Sequence, residues 1–197
     1  MNTVFTIGHS THSQERLIEL LQQHGINALC DVRSVPFSRW NPQFNAKELK
    51  AALPKHGIGY LQLGEELGAR TKDPNCYVNG KVSYERLSRT DLFKRGIARV
   101  LDGIAKGFRI ALMCAEKEPL ECHRTILVSR ALTGFSVVVQ HIHADGRLES
   151  HSDALVRLAQ LLGIADEELF RSKEALEEEA YYRQGQKIAY EIGASKS

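Results

Sequence analysis

The chain has 197 residues, which is enough for one domain with a full hydrophobic core. Hydrophobic residues make up 43% and charged residues 25%, an ordinary globular composition that excludes a disordered or fibrous protein. A formal net charge of +2 does not by itself indicate nucleic-acid binding. Because no apolar run is long enough to cross a bilayer and the first residues lack a signal-peptide pattern, we expect a cytoplasmic protein with free thiols.

Predicted strands and helices alternate along the chain. Apolar runs bounded by glycine or turn residues predict buried strands, and apolar residues at helical spacing predict the helices between them. The predicted strands are residues 3–7, 26–32, 58–63, 108–114 and 136–143. The predicted helices are residues 12–24, 46–56, 84–106, 125–132, 153–162 and 167–190, with Thr11 as the cap of the first and a break near Thr90 in the third. A tight-turn signal at Asp145-Gly146 allows residues 147–149 to return as a short antiparallel edge.

This alternation predicts an α/β domain built on a mainly parallel sheet of about five strands, with helices on both faces. We assign residues 1–150 to this domain and residues 151–197 to C-terminal helices that pack on it or extend it. The last helix is highly charged, which is typical of a solvated surface helix. Residues 64–82 are predicted to form a long loop, and loops of this length are usually functional or mobile.

Charged and nucleophilic side chains follow several of the predicted strands. Because parallel strands joined by helices finish at one edge of the sheet, where ligands bind, these side chains are expected to share a site. Three of them open the helix after the fourth strand, and the unpaired N–H groups of a helix amino end favour an anion or a thiolate. The residues of this predicted site are His9, Ser10, Asp31, Arg33, Cys114, Glu116, Cys122, His123 and Arg124.

Cys114 has two interpretations. It can be a small buried residue that ends a core strand, which is a common role of a free cysteine. It can also be a thiolate whose pKa is lowered by Arg124 or His123, acting as a nucleophile or a redox centre. Arg33 and Arg124 likewise could bind an anionic substrate or pair with nearby carboxylates in a buried ion network.

A metal site is a further alternative. Cys114, Cys122 and His123 are of metal-ligand type, but neither a Cys-x-x-Cys nor a His-Glu-x-x-His motif is present, so the pattern is weak. The set would need a further ligand from His9, Asp31 or His141.

Residues 34–45 form an irregular loop, because Pro36 and Pro42 interrupt any regular structure. The loop carries Arg39 and Trp40, the only tryptophan of the chain. It can be a hydrophobic lid that packs on the domain. Equally, it can be a stacking platform for a base, with arginine available for phosphate.

Three motifs occur in this order: Thr6-Ile-Gly-His-Ser10, then Asp31-Val-Arg-Ser-Val-Pro-Phe-Ser-Arg39, then Cys114-Ala-Glu116 with Cys122-His-Arg124. They resemble the motifs of the domain of unknown function 488 family, which comprises bacterial and archaeal cytoplasmic proteins. The resemblance runs from about residue 3 to residue 145 and leaves the charged C-terminal helix outside. It implies a compact α/β domain with a shared motif site, to which it adds Arg39.

Three functions are consistent with these residues. The first is an enzyme acting on a phosphate-bearing substrate, a nucleotide or a nucleic acid, with catalytic roles for Cys114, Glu116, Asp31, His9 and His123. In this hypothesis the substrate is bound by Ser10, Arg33, Arg39, Trp40, Cys122 and Arg124. The second is a nucleic-acid-binding module without catalysis, which uses the Arg39-Trp40 loop and the Arg70-Lys72 loop. The third is a metal or redox protein using Cys114, Cys122 and His123. The expected partner is therefore a small anionic ligand or a nucleic acid, and not a membrane.

Overall fold

The computed structural model describes residues 2–164 and 171–193. The strands are β1 (Thr3–Gly8), β2 (Ala28–Asp31), β3 (Gly59–Gln62), β4 (Tyr77–Val78), β5 (Lys81–Val82), β6 (Ile110–Cys114), β7 (Val138–Ile142) and β8 (Leu148–Ser150). The α-helices are α1 (Gln14–Gln23), α2 (Ala46–Ala52), α3 (Gly64–Leu67), α4 (Tyr84–Ser88), α5 (Asp91–Ala105), α6 (Arg130–Thr133), α7 (His151–Leu161) and α8 (Lys173–Ile188). A π-helical segment, Arg124–Ser129, leads directly into α6.

The main sheet has six strands in the order β3-β2-β6-β1-β7-β8. All neighbours from β3 to β7 pair in parallel, so the carboxyl ends of β1, β2 and β6 lie side by side at one edge. Strand β8 returns antiparallel to β7 after the turn at Gly146, whose φ of 91° is readily adopted only by glycine. The predicted mainly parallel α/β fold is confirmed.

Both faces of the sheet are covered, which explains why its central strands read as continuous apolar runs. Successive side chains of a strand point to opposite faces. Val4 packs in a cluster with the inner side of α5, whereas Phe5 packs in the cluster that includes the apolar face of α1. Strand β6 lies in the middle and is buried at every position from Ile110 to Cys114. The carboxyl end of β6 therefore delivers Cys114 to the centre of the sheet edge.

Two details of the predicted elements are wrong. The cap of α1 is Ser13 rather than Thr11, because the hydroxyl of Ser13 accepts the N–H of Arg16 and the helix begins at Gln14. Residues 64–82, expected as a loop, contain α3 and the two-stranded hairpin β4–β5. The hairpin turn at Asn79-Gly80 has positive φ at both positions, a turn that suits Asn-Gly. Strands of two residues are too short to show a period in the sequence.

The C-terminal helices α7 and α8 pack on each other and on the segment that follows β6. Their shared apolar cluster includes Leu120 and Ile126 from that segment, Leu158 from α7, and Tyr181 from α8. Helix α8 has a buried stripe in spite of its many charges, so the expectation of a merely solvated helix is wrong for this face. Residues 167–170 of the predicted last helix lie outside the described residues. Within the described part of the chain, no helix combines the length and apolar character that a membrane span requires.

Candidate functional site

A cavity of about 580 Å³ opens at the carboxyl edge of the sheet. Its floor is formed by Cys114, which ends β6, by Glu116 and His123, which follow it and also line the cavity, and by the buried Cys122 beside them. One wall is the loop after β2, beginning at Arg33, and the opposite wall is the end of α8 with residues 187–191. The position agrees with the general rule that ligands of parallel α/β sheets bind beyond the strand ends.

Close backbone packing brings the loop after β6 against the end of β1. The N–H groups of His9 and Ser10 donate to the carbonyl groups of Cys114 and Ala115, at 2.9 and 3.0 Å. Gly8 permits this approach, because a Cβ atom at this position would lie 1.8 Å from the carbonyl oxygen of Glu116. The loop that carries the floor of the cavity is therefore held by β1.

Two thiols, one carboxylate and one imidazole meet on the floor. The carboxylate of Glu116 accepts from both thiols, with its Oε2 2.9 Å from Cys114 Sγ and 3.2 Å from Cys122 Sγ. The Nδ1 atom of His123 lies 3.7 Å from Cys114 Sγ and 3.8 Å from Cys122 Sγ. The other ring nitrogen, Nε2, donates to the carbonyl oxygen of Val32 at 3.0 Å. This bond orients the ring so that Nδ1 faces the two sulfur atoms.

The two thiols have opposite acidities. Burial raises the pKa of Cys114, and its neighbours Cys122 and Glu116 raise it further. Burial alone would also raise the pKa of Cys122, but the hydrogen bond from Cys114 and the positive charges of Arg124 and His123 lower it to about 5. The two cysteines therefore share a single proton, which stays on Cys114, and the negative charge lies on Cys122.

The histidine and carboxylate of the floor are also shifted. Burial would lower the pKa of His123, but the adjacent Cys122 thiolate and the Glu116 carboxylate outweigh it and raise that pKa. For Glu116 burial acts in the upward direction, and the hydrogen bonds from Cys114 and Cys122 reverse this and lower its pKa to about 2. Glu116 is thus ionised at neutral pH and cannot act as a general acid.

Arg124 is fully buried beneath the floor. Its guanidinium donates to the carbonyl oxygens of Glu116 and Lys117, at 2.7 and 3.3 Å, and its backbone N–H donates to Cys122 Sγ at 3.4 Å. Arg124 therefore holds the loop and places a positive charge near the thiols, and its side chain does not line the cavity.

Asp31 and Arg33 form a buried bidentate pair beside the floor. The Arg33 Nε and Nη2 atoms donate to the Asp31 carboxylate at 2.9 and 2.5 Å, and Tyr60 adds its hydroxyl at 2.8 Å. Arg33 also donates from Nη1 to His9 Nε2 at 3.1 Å and from Nη2 to the carbonyl oxygen of Phe44 at 2.7 Å. Burial and the charge of Arg33 lower the pKa of His9 to about 4, so this ring is neutral.

The predicted site residues thus fall into four sets. The floor brings together Cys114, Glu116, Cys122 and His123, with Arg124 beneath it. The ion network brings together His9, Asp31 and Arg33, of which Arg33 reaches the cavity wall. Ser10 contributes its backbone to the contact with the floor loop. Arg39 and Trp40 lie on the outer loop, where Trp40 is 90% exposed.

Several cavity residues were missed from the sequence. Lys81, Tyr84 and Lys187 line the cavity, as does Tyr190, whose ring lies under the Arg70 guanidinium at 4.8 Å. The end of α8 is attached to the hairpin, since the N–H of Val82 donates to the carbonyl oxygen of Tyr190 at 2.9 Å. The length of the 64–82 stretch was the one sequence feature that pointed to a functional segment here. Residues near 81 and 187 are too far apart in the chain for any spacing rule to predict their contact.

Comparison with known proteins gives one result. No curated protein and no solved structure matches this chain. The sequence model of the family described as "Domain of unknown function DUF488" matches residues 13–131, which is more than half of the chain and includes the floor of the cavity but not its α8 wall. The motif resemblance is therefore confirmed, and the chain belongs to the family of the domain of unknown function DUF488.

Proposed function

We propose that this protein is an enzyme that acts on a small phosphate-bearing substrate, such as a nucleotide, within the cavity. The observation that carries the proposal is the composition of its wall. Reactive side chains on the floor, Cys114, Glu116 and His123, face the same space as four basic side chains. The basic residues are Arg33, Arg70, Lys81 and Lys187. Binding an anionic group next to nucleophilic and proton-accepting groups is the arrangement that phosphoryl or acyl-phosphate chemistry requires.

The basic side chains differ in how free they are to bind an anion. Arg33 forms an ion pair with Asp31. Lys81 forms an ion pair with Glu191, whose Oε2 lies 3.5 Å from the Lys81 Nζ. Among the described residues, Arg70 and Lys187 have no carboxylate partner in an ion pair. The proposal therefore assigns anion binding chiefly to Arg70 and Lys187, with Arg33 and Lys81 as neighbours. Arg124, expected to bind an anion, is occupied by backbone carbonyl groups.

The floor supplies the reacting groups in this proposal. Glu116 is the general base, because its carboxylate faces the cavity and already accepts a hydrogen bond from the Cys114 thiol at 2.9 Å. The attacking agent is either the Cys114 thiol, whose proton passes to the Glu116 carboxylate 2.9 Å away, or a water activated at the same place. Asp31 and His9 position Arg33 and so shape the wall, without a contact to the cavity of their own.

Ligand-induced thermal stabilisation tests the proposal. AMP, ADP, ATP and inorganic phosphate are the probes, and at least one is expected to raise the melting temperature. Arg70→Ala and Lys187→Ala should each weaken that binding by about tenfold, the loss of one charge-assisted hydrogen bond. Lys55→Ala, an exposed lysine outside the cavity, is the control and should bind as the wild type does. If no probe binds, or if both cavity variants bind like the control, the proposal is wrong.

A second candidate function is nucleic-acid binding by the outer loop. Val35, Phe37 and Trp40 are 55%, 63% and 90% exposed there, and Arg39 lies between the two aromatic residues. Exposed aromatic side chains next to arginine can stack on unpaired bases. Titration of a single-stranded oligonucleotide at low salt should then quench the fluorescence of Trp40, with an affinity that falls as salt increases. Unchanged fluorescence with both DNA and RNA would eliminate this candidate.

A further inference from the structure

We propose that Cys114, Cys122 and His123 bind a zinc-class divalent metal ion at the floor of the cavity. This inference rests on the proposed function, because it identifies the agent that would activate water there. The chain contains neither a Cys-x-x-Cys nor a His-Glu-x-x-His motif. The three ligands come instead from two segments, the end of β6 and the residues just before the next helical segment.

The first argument is the spacing of the three ligand atoms. Zinc–sulfur and zinc–nitrogen bonds are about 2.3 and 2.0–2.1 Å long, so two such ligands of one tetrahedral ion lie roughly 3.5–3.8 Å apart. The Nδ1 atom of His123 lies 3.7 Å from Cys114 Sγ and 3.8 Å from Cys122 Sγ. All three ligand atoms lie within 4.8 Å of one another. Binding an ion therefore requires only small movements of these side chains.

The second argument is the orientation of the imidazole. The Nε2 atom of His123 donates to the carbonyl oxygen of Val32, so the neutral ring carries its proton on Nε2 and directs Nδ1 at the two sulfur atoms. A histidine ligand commonly donates its second nitrogen to a carbonyl or carboxylate, which selects the tautomer and orients the lone pair. A histidine that served packing alone would not need two sulfur atoms at nearly equal distances from its second ring nitrogen.

The third argument is charge balance in a buried place. Two thiolates, a neutral imidazole and a divalent ion sum to zero, which reduces the cost of burying the centre. Loading the ion releases to the solvent the thiol proton that Cys114 donates to Glu116. The backbone N–H of Arg124 already points at Cys122 Sγ, at 3.4 Å, and can support a bound thiolate.

The ligand set indicates which ion binds and how. Two sulfur atoms and one nitrogen in a tetrahedral arrangement favour zinc over magnesium or calcium, which prefer oxygen. Cys114 and His123 line the cavity, so the fourth ligand position faces the cavity. Three protein ligands with an open fourth position are typical of catalytic rather than structural zinc.

Metal content and cobalt substitution test this inference. Elemental analysis of the full-length wild-type protein, purified under reducing conditions from cells supplied with zinc, should show about one zinc ion per chain. Replacement by Co²⁺ should produce thiolate-to-cobalt charge-transfer absorption and the intense visible bands of a tetrahedral ion. Cys122→Ser should weaken zinc binding by more than about 100-fold, since it removes a ligand and not just an outer partner. Cys76→Ala, which alters another buried cysteine, is the matched control and should retain the ion.

The wild-type measurement decides the question even if Cys122→Ser fails to fold. Reduced wild-type protein that contains no zinc and gives no charge-transfer band with Co²⁺ overturns the inference. Formation of a Cys114–Cys122 disulfide by a mild oxidant in such metal-free protein also overturns it and identifies a redox pair instead. Failure of the metal site is separable from failure of the proposed function, because phosphate-ligand binding and the effects of Arg70→Ala and Lys187→Ala are measured without reference to metal content.

Discussion

The buried pair of Asp31 and Arg33 gives the sharpest prediction about stability. Replacing Asp31 by Asn keeps the shape of the side chain but removes its charge. The amide group then presents N–H donors where the carboxylate now accepts from Arg33 Nη2 at 2.5 Å and from the Tyr60 hydroxyl at 2.8 Å. Asp31 is 0% and Arg33 6% exposed, so the arginine charge would remain buried with only uncharged partners, which are the amide oxygen at position 31, the His9 nitrogen and one carbonyl group.

The expected loss in the free energy of unfolding for Asp31→Asn is about 3–5 kcal/mol, the range for removal of one partner of a buried ion pair. Urea unfolding followed by circular dichroism, with linear extrapolation to water, measures it. Tyr60→Phe is the matched control, because it removes one hydrogen bond to the same carboxylate and leaves the ion pair intact. Its expected loss is about 1–2 kcal/mol.

A double substitution separates the ion pair from other effects. Asp31→Asn with Arg33→Met removes both charges, so its loss should be smaller than the sum of the two single losses, by about 1–3 kcal/mol. This double variant should also fold if Asp31→Asn alone does not, since it buries no unpaired charge. A loss below about 1 kcal/mol for Asp31→Asn, or additive losses in the double variant, would refute the role given to this pair.

Three further predictions concern packing, pH and the outer loop. Gly8→Ala should lower the free energy of unfolding in urea by more than about 3 kcal/mol, because its Cβ would lie 1.8 Å from a backbone carbonyl oxygen. Gly59→Ala is the control and should change the free energy of unfolding by less than about 1 kcal/mol, since no atom lies within 3.7 Å of the added Cβ. His141 and His151 are buried and hydrogen-bonded to each other, and burial lowers their pKa values to about 2 and about 4. These histidines bind protons below about pH 6.5 in the unfolded chain but stay neutral in the folded protein. The free energy of unfolding should therefore fall by about 2 kcal/mol per histidine between pH 7 and pH 5. A urea midpoint that stays constant over this range would contradict the prediction. Trp40→Ala should change the free energy of unfolding by less than about 0.5 kcal/mol, because the indole is 90% exposed, and a larger loss would show that the loop packs on the domain.

Much of the fold followed from patterns that are local in the sequence. Apolar runs located the five parallel strands, and the turn signal at Asp145-Gly146 located the antiparallel edge. The break in the third helix also appeared as expected, where the hydroxyl of Thr90 accepts the N–H of Phe93 and begins α5. These predictions succeeded because each depends on burial of nearby residues or on one cap or turn. The β4–β5 hairpin was missed, since its two-residue strands have no measurable period.

The candidate site was predictable in its location but not in its pairings. Right-handed crossovers bring Asp31 and Cys114 to one edge whatever their side chains do, so their proximity could be deduced. The ion pairs and hydrogen bonds that these side chains form could not be deduced from the sequence. Arg124 turns inward to carbonyl groups, and the anion-binding role proposed here falls on Arg70 and Lys187 instead.

The α/β sheet, and the meeting of Asp31 and Cys114 at one edge of it, could be predicted from the sequence, because strand order along a chain and the handedness of crossovers leave little choice. The distances from His123 to Cys114 and Cys122, and the wall that the end of α8 adds to the cavity, are visible only in the folded structure. These depend on contacts between segments far apart in the chain, such as the bond from Val82 to Tyr190. Such contacts follow from how buried surfaces fit together, and residue spacing carries no record of that fit.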